Sequence, residues 1–450
     1  MELSAEASEI INILEQSGYE AYAVGGCVRD SIIGIIPNDW DICTSALPQK
    51  VIELFSAYKV IQTGIKHGTV TVLVNGVNIE VTTYRIEEEY EDNRRPSCVS
   101  FVGSLKEDLA RRDFTMNALA YNPNTGLVDY FGGVSDIEKK IIKCVGEPAE
   151  RMEEDALRLL RALRFASRFG FAIEGDLSNC IHRLKYLLLN ISSERIQNEF
   201  NGILLGQNAY VILDEYKDVI NKFIPEIEYM FGFEQNNPYH YLDVWHHTIE
   251  SVQVASHDLV IKLTMFFHDI GKPATYSMDE NGGSHFYRHA AKSVEVTETV
   301  LNRLKYSNKI ISDVLVLIKY HDIKLTEKSL LNWMNKLGER RIDLLLQVMT
   351  ADIKAQSPRF FDERMEQLEE LKELYDEIIV NNRCYKISDL DIDGQDLIDM
   401  GFSEGRLIGE ILEKLLELVM DGEVRNVRNS LITYIHNTKS ILKLNSIDSD

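Results

Sequence analysis

Hydrophobic residues divide the chain into a first part with short strand-like runs and a longer part with helical spacing. Apolar positions three and four apart indicate helices, and short runs rich in β-branched residues indicate strands. The elements predicted up to residue 145 are helices over 4–17 and 48–57 and strands over 21–24, 60–74, 77–84 and 127–130. The Asn75-Gly76 pair predicts a hairpin turn between two of these strands. Few strand signals follow, so the pattern predicts an α+β unit and then a helical remainder.

Two glycines follow the first predicted strand, and an arginine and two aspartates follow the glycines. Gly25 and Gly26 allow a tight turn and close approach of the backbone to a ligand, while Arg29 offers a cationic fork suited to phosphate. Asp39 and Asp41 lie two residues apart, so on an extended segment both carboxylates share one face. Such a set can hold a divalent metal against a triphosphate. The alternative is a hairpin in which these residues only form turns.

Polar residues between 80 and 118 provide further candidate ligands. Glu80, on a predicted strand, is either a third carboxylate beside the aspartate pair or a solvent-facing side chain. Residues 85–101 are polar and predict a mobile loop. In the segment RRDFTMNALA, Arg112, Asp113 and Asn117 are predicted at a helix start that presents donors to phosphate and ribose. The alternative is a charged helix N-terminus with one solvated face.

A run of arginines marks the beginning of the helical part. The sequence predicts one helix over residues 151–171, and four arginines fall on one side of it: Arg158, Arg161, Arg164 and Arg168. The net charge of −23 argues against broad, non-specific nucleic-acid binding, but it does not exclude a localised basic groove. Such a stripe is often only a solvated face. Beside a nucleotide site, phosphate contact is the better interpretation.

Histidine and aspartate residues form a second set downstream of the arginines. The set consists of His246-His247, His268-Asp269, His289, His321-Asp322 and Asp352. A His-Asp pair at the end of the apolar segment 262–267 is a poor way to build a core and a good way to offer a metal one imidazole and one carboxylate. The sequence therefore predicts a metal centre in the helical part, with a structural role as the alternative for any single histidine.

Length and composition place the chain among ordinary globular proteins. At 450 residues, with 45% hydrophobic and 26% charged residues, it has room for several domains. The six cysteines show no CxxC spacing and are expected to be reduced thiols. No apolar run reaches the length of a membrane helix, and the acidic N-terminal segment is unlike a signal peptide. These features predict a cytoplasmic protein without a membrane partner.

Five motifs follow one another along the chain: VGGCVRD with DWD, RRDFTMNALA, DYFGG at 129–133, EDALR at 154–158 and ISSERI at 191–196. Together they resemble the motifs of bacterial class II tRNA nucleotidyltransferases, the CCA-adding enzymes of the DNA polymerase beta superfamily. The resemblance implies an α+β fold with a polymerase-beta-like mixed sheet. It also implies four parts, namely a nucleotidyltransferase head over 1–147, a helical neck over 148–207, a helical body over 208–355 and a tRNA-binding helical tail over 356–450.

The resemblance implies a role for each matching residue in the addition of CCA to tRNA 3′ ends. Asp39 and Asp41 would hold the Mg²⁺ ions of a two-metal mechanism, with CTP and ATP as substrates. Asp155 and Arg158 would read the edge of the incoming base, so that protein side chains replace a nucleic-acid template. Further residues would contact phosphate or ribose: Gly25, Gly26, Arg29, Arg112, Asp113, Asn117, Arg161 and Arg164. Two arginines would contact the RNA: Arg168 and Arg195.

The His-Asp set resembles an HD-type phosphohydrolase domain, located at 208–355. That resemblance implies a divalent metal, with Mn, Ni, Co or Fe as candidates, held by four ligands: His247, His268, Asp269 and Asp352. His289 and His321 would be available to a second metal. The domain would either cleave phosphomonoesters or cyclic phosphates at RNA ends or serve as a scaffold, because related domains can lose hydrolysis.

Other functions stay open at this point. A poly(A) polymerase shares the head fold, but GIKHGTVT at 64–71 resembles CCA-adding members and the sequence has no basic C-terminal tail. An enzyme that adds only CC or only A is a second rival, although EEEYEDNRRP at 87–96 resembles a loop that CC-adding members lack. A rival of a different class is a metal-dependent HD phosphohydrolase whose head is a regulatory nucleotide-binding domain. The intact aspartate pair argues against a non-catalytic tRNA-binding protein.

Overall fold

The computed structural model describes residues 1–91, 95–280 and 283–444. The chain forms two compact units, one with Met1–Tyr229 and Thr299–Ser307 and one with Met230–Glu298 and the residues from Asn308 onward. The first unit contains a mixed sheet with helices, and the second is almost entirely helical. The predicted α+β fold with a helical remainder is therefore confirmed.

A seven-stranded mixed sheet is the centre of the first unit. The strands of this unit are β1 Ala21–Val24, β2 Asp41–Thr44, β3 Lys59–Ile61, β4 Thr69–Val74, β5 Val77–Thr83, β6 Arg85–Glu91, β7 Arg95–Phe101, β8 Leu119–Asn122, β9 Gly126–Asp129, β10 Ile141–Ile142 and β11 Ala172–Ile173. The large sheet has the order β3-β4-β5-β2-β1-β8-β9. Its neighbours are antiparallel except β2 and β5, which run parallel with Asp41 opposite Glu80.

Helices surround this sheet and continue beyond it. They are α1 Ala5–Gln16, α2 Gly26–Ile33, α3 Pro48–Leu54, α4 Leu105–Ala110, α5 Gly133–Glu138, α6 Pro148–Glu154, α7 Leu157–Phe169, α8 Gly175–Leu184, α9 Ser193–Leu204, α10 Ala209–Glu215 and α11 Lys217–Ile220. α1 begins where the Ser4 hydroxyl accepts the Ala7 N–H, and it buries Ile10, Ile11 and Leu14. α7 buries its leucines and packs against α9. The predicted helix at 4–17 is thus confirmed.

Two predictions about the strands after α3 are wrong. Residues 60–74 are two strands, because a 3₁₀ turn at Ile65–His67 and Gly68 with φ 80° separate β3 from β4. Residues 85–101 contain the antiparallel pair β6 and β7 instead of a loop, and residues 92–94 lie outside the described residues. A two-stranded ribbon need not bury one face, so hydrophobic alternation does not reveal it. The Asn75-Gly76 hairpin is confirmed, since both residues have positive φ between paired Val74 and Val77.

The segment with adjacent arginines follows a helix, contrary to the predicted helix start. α4 ends at Ala110, and the chain then passes through irregular backbone to a 3₁₀ turn at Thr115–Asn117. The Asp113 carboxylate accepts hydrogen bonds from the Phe114 N–H and from Asn117 Nδ2. Such local side-chain bonds compete with helical hydrogen bonding and explain the irregular path.

The predicted helix over 151–171 is broken into α6 and α7. Asp155 has an extended backbone with φ −136° and ψ 102°, which ends α6. Its Oδ1 accepts the Leu157 N–H at 3.1 Å, as at a helix N-terminus. The break brings Asp155 to the start of α7, the helix that carries the arginine stripe.

The second unit is built around one helix that is buried on all sides. Its helices are α12 Val244–Val254, α13 Leu259–Phe267, α14 His289–Arg303 (of which the residues from Thr299 belong to the first unit), α15 Asn308–Tyr320, α16 Glu327–Leu337, α17 Glu339–Lys354, α18 Phe361–Val380, α19 Gly394–Asp399, α20 Arg406–Met420 and α21 Arg428–Leu444, with the antiparallel strands β12 Ser277–Met278 and β13 Ser284–His285. Every residue of α13 after Leu259 is buried, and α12, α15 and α17 contact it. None of the described helices has both the length and the apolar character needed to cross a bilayer.

Candidate functional site

A cavity of about 700 Å³ in the first unit collects the residues predicted for the head and neck. All the residues predicted there for catalysis, nucleotide binding and RNA binding line it: Gly25, Gly26, Arg29, Asp39, Asp41, Arg112, Asp113, Asn117, Asp155, Arg158, Arg161, Arg164, Arg168 and Arg195. Arg111, Leu157 and Phe165 complete the lining. We call this space the head cavity. Segments that are distant in sequence meet here because β1 and β2 are adjacent and the α7 side chains Arg161 and Arg168 pair with Asp113 and Asp30.

The turn between β1 and α2 requires glycine for two reasons. Gly25 has φ +78°, which L side chains rarely adopt, and a Cβ there would lie 2.7 Å from Nη1 of Arg112. The backbone therefore approaches the Arg112 guanidinium directly, and Gly26 begins α2 at the edge of the cavity. The predicted close approach of this backbone to a ligand stays a prediction.

Asp39 and Asp41 are the two carboxylates of the cavity lining that no described arginine or lysine neutralises. The other two lining aspartates, Asp113 and Asp155, each form an ion pair with an arginine. The arginines of the same cavity form ion pairs with other carboxylates. Asp39 and Asp41, which form none, are therefore suited to bind a divalent metal.

Glu80 acts on this pair through its charge. It lies opposite Asp41 in the parallel register of β2 and β5, but its exposed side chain is outside the cavity lining. Burial, together with Glu80, raises the pKa of Asp41, although Arg112 opposes the shift. Negative charge is therefore in excess at this point, and a bound cation would relieve it.

Hydrogen bonds and aromatic rings fix the position of the Arg29 guanidinium. Its Nε and Nη2 donate to Oδ1 of Asp30 at 2.8 and 2.6 Å, and its Nη1 donates to Oδ1 of Asn117 at 2.5 Å. The guanidinium also lies 5.0 Å from the ring centroids of both Phe165 and Phe169. With 4% exposure, Arg29 braces the cavity wall in this structure. Its predicted phosphate contact stays a prediction.

Asp113 continues the same network towards α7. Its Oδ2 accepts from Nε of Arg161 at 2.8 Å, and its Oδ1 accepts from Nδ2 of Asn117 at 2.9 Å. Burial alone would raise the pKa of Asp113, but Arg161 and these hydrogen bonds outweigh burial and lower it to about 2. The carboxylate therefore stays charged at neutral pH and fixes Arg161 at the cavity.

The predicted base-reading residues both line the cavity, and both already have partners. Asp155 Oδ2 accepts from Nη2 of Arg195 at 2.9 Å. Arg158 is 7% exposed, and its Nη1 donates to Oε2 of Glu154 at 2.6 Å while its Nη2 donates to the Arg111 carbonyl at 3.3 Å. These contacts fix the orientation of the two side chains before any base binds.

Every arginine of the lining pairs with a carboxylate, and most of these carboxylates lie outside the lining. The pairs are Arg29–Asp30, Arg111–Asp108, Arg112–Asp108, Arg158–Glu154, Arg161–Asp113, Arg164–Glu199, Arg168–Asp30 and Arg195–Asp155. The lining itself contains eight arginines and four aspartates. The lining groups thus carry a net positive charge that carboxylates outside the lining balance, and the arginine forks suit a polyanion such as a triphosphate.

The second unit brings together the four residues predicted as HD metal ligands. His247 Nε2 lies 3.2 Å from His268 Nε2, 3.5 Å from Asp269 Oδ2 and 3.1 Å from Asp352 Oδ1. His268 Nε2 lies 3.2 Å from Asp269 Oδ2. His247, His268 and Asp269 are fully buried at this point, where α12, the end of α13 and α17 meet.

Asp269 connects this group to the two histidines predicted for a second metal. Its Oδ1 lies 3.5 Å from His289 Nε2 and 3.8 Å from His321 Nε2. The two histidine Nε2 atoms are 3.2 Å apart. One carboxylate therefore faces two groups of imidazole nitrogens, each compact enough to hold an ion.

The second nitrogen of each ring shows which atom is free to bind a metal. In each histidine Nδ1 faces a backbone carbonyl: Ala355 for His247, Met265 for His268, Phe286 for His289 and Ile318 for His321. A carbonyl only accepts hydrogen bonds, so Nδ1 carries a proton and each neutral ring directs the lone pair of Nε2 into the group. Burial opposes a charge on His268, but Asp269 and Asp352 raise the pKa of His268 to about 10, so a bound metal would have to displace a proton from this ring. Converging lone pairs repel one another unless a cation lies between them, so this donor set fits a divalent metal.

Asp269 supports the same conclusion. Neither of its carboxylate oxygens accepts a well-formed hydrogen bond from the described residues, although Lys272 Nζ lies 2.6 Å from Oδ2. Oδ2 is thus paired with an ammonium group, whereas Oδ1 has no hydrogen-bond donor among the described residues and faces His289 and His321, as expected of a metal ligand. We call the group of His247, His268, Asp269, His289, His321 and Asp352 the HD cluster.

Sequence reasoning missed one candidate ligand and included one histidine that lies elsewhere. His240 forms a compact group with His247 and Asp352, but it stands alone in an irregular segment, where no spacing marked it. His246 was predicted within the cluster, yet its Nδ1 bonds Asp243 Oδ1 at 2.8 Å at the start of α12. Neighbouring residues of a helix point in different directions, which separates His246 from His247.

Family models match three parts of the chain. They are described as "Poly A polymerase head domain" for residues 21–143, "Probable RNA and SrmB- binding site of polymerase A" for residues 170–230 and "tRNA nucleotidyltransferase domain 2" for residues 286–435. The first match contains β1 to β10 and most of the head cavity. The third contains three residues of the HD cluster, namely His289, His321 and Asp352.

Individual relatives match most of the chain. A CCA-adding enzyme of Ligilactobacillus salivarius is 34% identical over 445 residues, which covers 97% of this chain and 96% of the relative. A CCA-adding enzyme of Bacillus cereus is 33% identical over 438 residues, which covers 96% and 98%. The crystal structure of the Bacillus stearothermophilus CCA-adding enzyme in complex with CTP is 29% identical, with a TM-score of 0.72 and 98% of both chains covered. The chain therefore belongs to the family of CCA-adding enzymes.

Proposed function

We propose that this protein adds CCA to the 3′ ends of tRNA from CTP and ATP, without a nucleic-acid template. The observation that carries the proposal concerns Asp39 and Asp41. These two carboxylates form no ion pair with a described arginine or lysine, yet they lie in a cavity lined by eight arginines. Nucleotidyl transfer depends on positioning and charge neutralisation more than on covalent help from the protein. The relatives described above carry the name CCA-adding enzyme, and one was solved with CTP.

Mg²⁺ is the metal that this site fits best. Asp39 and Asp41 offer only oxygen ligands, and neither forms an ion pair with a described arginine or lysine. Bound Mg²⁺ would activate the tRNA 3′-hydroxyl and neutralise the triphosphate. The chain itself supplies orientation: Arg112, Arg161 and Arg164 would contact phosphates, and Asp113 with Asn117 would lie near the ribose.

Base selection is assigned to Asp155 and Arg158. A carboxylate acceptor and a guanidinium donor can match the hydrogen-bonding edges of cytosine and adenine and reject those of guanine and uracil. Arg195 and Glu154, which hold these two side chains at 2.9 and 2.6 Å, support the role because they pre-orient both groups. A pre-oriented pair loses less entropy when the base binds.

The remaining parts would hold the RNA. Arg168 and Arg195 would contact tRNA from the neck over 148–207, which follows the head over 1–147. The body over 208–355 contains the HD cluster, and the tail over 356–450 would hold the outer part of the tRNA. We place the protein in the cytoplasm, where its substrates occur and where the free thiols found at Cys27, Cys43, Cys144, Cys180 and Cys384 would stay reduced.

The HD cluster favours a second activity, the metal-dependent hydrolysis of phosphate esters. His247, His268, Asp269 and Asp352 would hold one divalent ion, with Mn, Ni, Co or Fe as candidates for such mixed nitrogen and oxygen ligands. His289 and His321 would hold a second ion together with Asp269. The observation that favours this activity is the convergence of four histidine Nε2 atoms on the Asp269 carboxylate.

One experiment tests the proposed nucleotidyl transfer. The protein is given tRNA that ends before CCA, with CTP and ATP separately and together, and the products are sequenced. The proposal predicts CC with CTP alone, CCA with both and no further growth. A long A tail would identify a poly(A) polymerase, and CC as the final product with both nucleotides would identify a CC-adding enzyme.

A further inference from the structure

Asp108 is a fully buried carboxylate of α4 that contacts two arginines of the head cavity from outside the cavity lining. Its Oδ1 accepts from Nε and Nη2 of Arg111 at 3.1 and 2.9 Å and from the Arg85 N–H at 3.2 Å. Its Oδ2 lies 3.5 Å from Nη2 of Arg112. Burial would raise the pKa of Asp108, but Arg112 and Arg111 outweigh burial and lower it. Asp108 is therefore charged at neutral pH.

Arg112 is held less firmly than Arg111. Its contact with Asp108 is 3.5 Å long, whereas the ion pair of Arg111 with the same carboxylate is 2.9 Å long. Its Nε is buried and has no hydrogen-bond partner among the described residues. Because a buried donor without a partner is costly, a second carboxylate within reach would attract this guanidinium. Asp108 is thus the group on which the position of Arg112 depends.

The carboxylates within reach of Arg112 belong to the proposed Mg²⁺ site. Arg112 lines the head cavity together with Asp39 and Asp41. Its Nη1 lies against the turn at Gly25, and the antiparallel pairing of β1 with β2 places that turn and Asp41 at the same end of the two strands. The charge of Arg112 also opposes the rise in the pKa of Asp41 that burial and Glu80 cause. The two groups are therefore close enough to interact.

An arginine that moved onto these aspartates would compete with a metal ion. A nearby arginine stabilises the charged form of a carboxylate by about tenfold or more, and a metal would have to displace it to bind. Asp39 and Asp41 form no ion pair with a described arginine or lysine, although Arg112 shares their cavity. The ion pair that Arg112 does form is the one with Asp108, on the other side of its guanidinium from Gly25.

We propose that Asp108 is a positioning residue that holds Arg112 away from Asp39 and Asp41 and so keeps these two carboxylates available to Mg²⁺. Asp108 acts only through Arg112, since it lies outside the cavity lining. This inference rests on the proposed nucleotidyl transfer and adds to it a residue that contacts neither the nucleotide nor the metal.

The test measures the binding of labelled CTP to the full chain by equilibrium dialysis at increasing Mg²⁺ concentration. No tRNA is present, so no transfer takes place. In the wild type the affinity for CTP should rise with Mg²⁺. Asp108→Asn keeps the size of the side chain and an acceptor for the Arg85 N–H, but it loses the charge that holds Arg112. It should raise the Mg²⁺ concentration for half of this rise by about tenfold, because Mg²⁺ must then displace Arg112.

A second variant separates positioning from a general effect on the fold. Asp108→Asn combined with Arg112→Gln leaves no guanidinium to compete, so the half-saturating Mg²⁺ concentration should return to within about twofold of the wild type, although CTP binds more weakly. A merely structural role of Asp108 would leave the Mg²⁺ requirement raised in both variants. Glu107→Gln is the matched control, because it removes the same charge from an exposed position of α4 and should bind Mg²⁺ like the wild type.

An unchanged Mg²⁺ requirement in Asp108→Asn, or a raised one that persists in the double variant, would overturn the inference. If Asp108→Asn does not fold, Arg112→Gln alone decides. The inference predicts a change of less than about twofold in half-saturating Mg²⁺, and a tenfold fall would show that Arg112 already competes with the metal in the wild type. If the response of CTP binding to Mg²⁺ survives Asp39→Ala combined with Asp41→Ala, the proposed metal site itself is wrong and the inference falls with it.

Discussion

The head cavity and the HD cluster differ in the charged groups that they present to a ligand. In the head cavity, each of the eight lining arginines is paired with a carboxylate, and only Asp39 and Asp41 among the lining aspartates lack such a partner within the described residues. In the HD cluster, imidazole nitrogens converge on Asp269, whose Oδ2 also pairs with Lys272. The first arrangement holds cations ready for a polyanion, and the second holds donor atoms ready for a cation.

The difference shows how each site is kept rigid. Carboxylates behind the arginines fix the head cavity, as Asp113 does for Arg161. Backbone carbonyls fix the HD cluster by holding the Nδ1 proton of each histidine, as Met265 does for His268. Pre-organisation by side chains can be disturbed by pH and by charge changes, whereas carbonyl contacts are indifferent to both. The two sites should therefore fail under different changes.

The largest effect is expected from Asp39→Ala combined with Asp41→Ala. Removal of both carboxylates removes the proposed Mg²⁺ ligands, which contribute several kcal/mol of charge stabilisation, so incorporation of CMP into tRNA should fall by at least about 10³-fold. Single-turnover incorporation of labelled CTP measures the loss. Glu138→Ala, an exposed change in α5 outside the cavity lining, is the control and should retain most of the activity. Full incorporation by the double variant would refute this metal assignment.

The next effect is expected at Asp269, the residue common to both groups of ligands. Asp269→Asn should weaken Mn²⁺ binding by more than about 100-fold, since even groups that only support a ligand contribute 10–100-fold. Isothermal titration with Mn²⁺ and elemental analysis of the purified protein measure the change. His246→Ala is the matched control, because His246 bonds Asp243 instead of facing the cluster. Equal Mn²⁺ affinity in Asp269→Asn and wild type would remove Asp269 from the ligand set.

A smaller effect concerns the pH dependence of stability at Asp113. Its pKa is about 2 in the folded protein and about 3.9 in an unfolded chain, so the stabilisation is fully present above pH 4 and is lost as pH falls towards 2. This difference in pKa corresponds to about 2–3 kcal/mol in the free energy of unfolding. In Arg161→Gln the loss of stability between pH 5 and pH 3 that is due to Asp113 should largely disappear, as measured by thermal unfolding at these pH values. Arg168→Gln, which alters a longer and more exposed ion pair, should keep the wild-type dependence.

The smallest effect concerns base selection. Asp155→Ala removes the proposed acceptor and releases Arg195, so discrimination of CTP and ATP against GTP and UTP should fall by about tenfold. Ratios of kcat/KM for the four nucleotides measure the change. Glu150→Ala, an exposed change in the neighbouring helix α6, should leave the ratios as they are. If Asp155→Ala lowers all four values equally, Asp155 positions the chain and does not select the base.

The sequence predicted the site residues better than the local structure around them. Gly25, Asp41 and Asn117 were found from chemistry alone, and they share one cavity because the sheet order brings β1 beside β2 and β8. The break at Asp155 was missed, because an Asp that caps a helix differs from an exposed helical Asp only in backbone angles. His240 was missed because its neighbours in space come from α12 and α17, which no local spacing records.

The central claim is that one chain has two independent sites. Nucleotide addition takes place in the head cavity, and metal-dependent hydrolysis of phosphate esters takes place at the HD cluster. The most direct measurement is the rate of CMP and AMP incorporation into tRNA lacking CCA by Asp269→Asn, in parallel with its Mn²⁺ content. The account predicts incorporation within about twofold of wild type in a protein that has lost its Mn²⁺, because changes without shared partners act additively. Loss of incorporation in proportion to lost Mn²⁺ would contradict it.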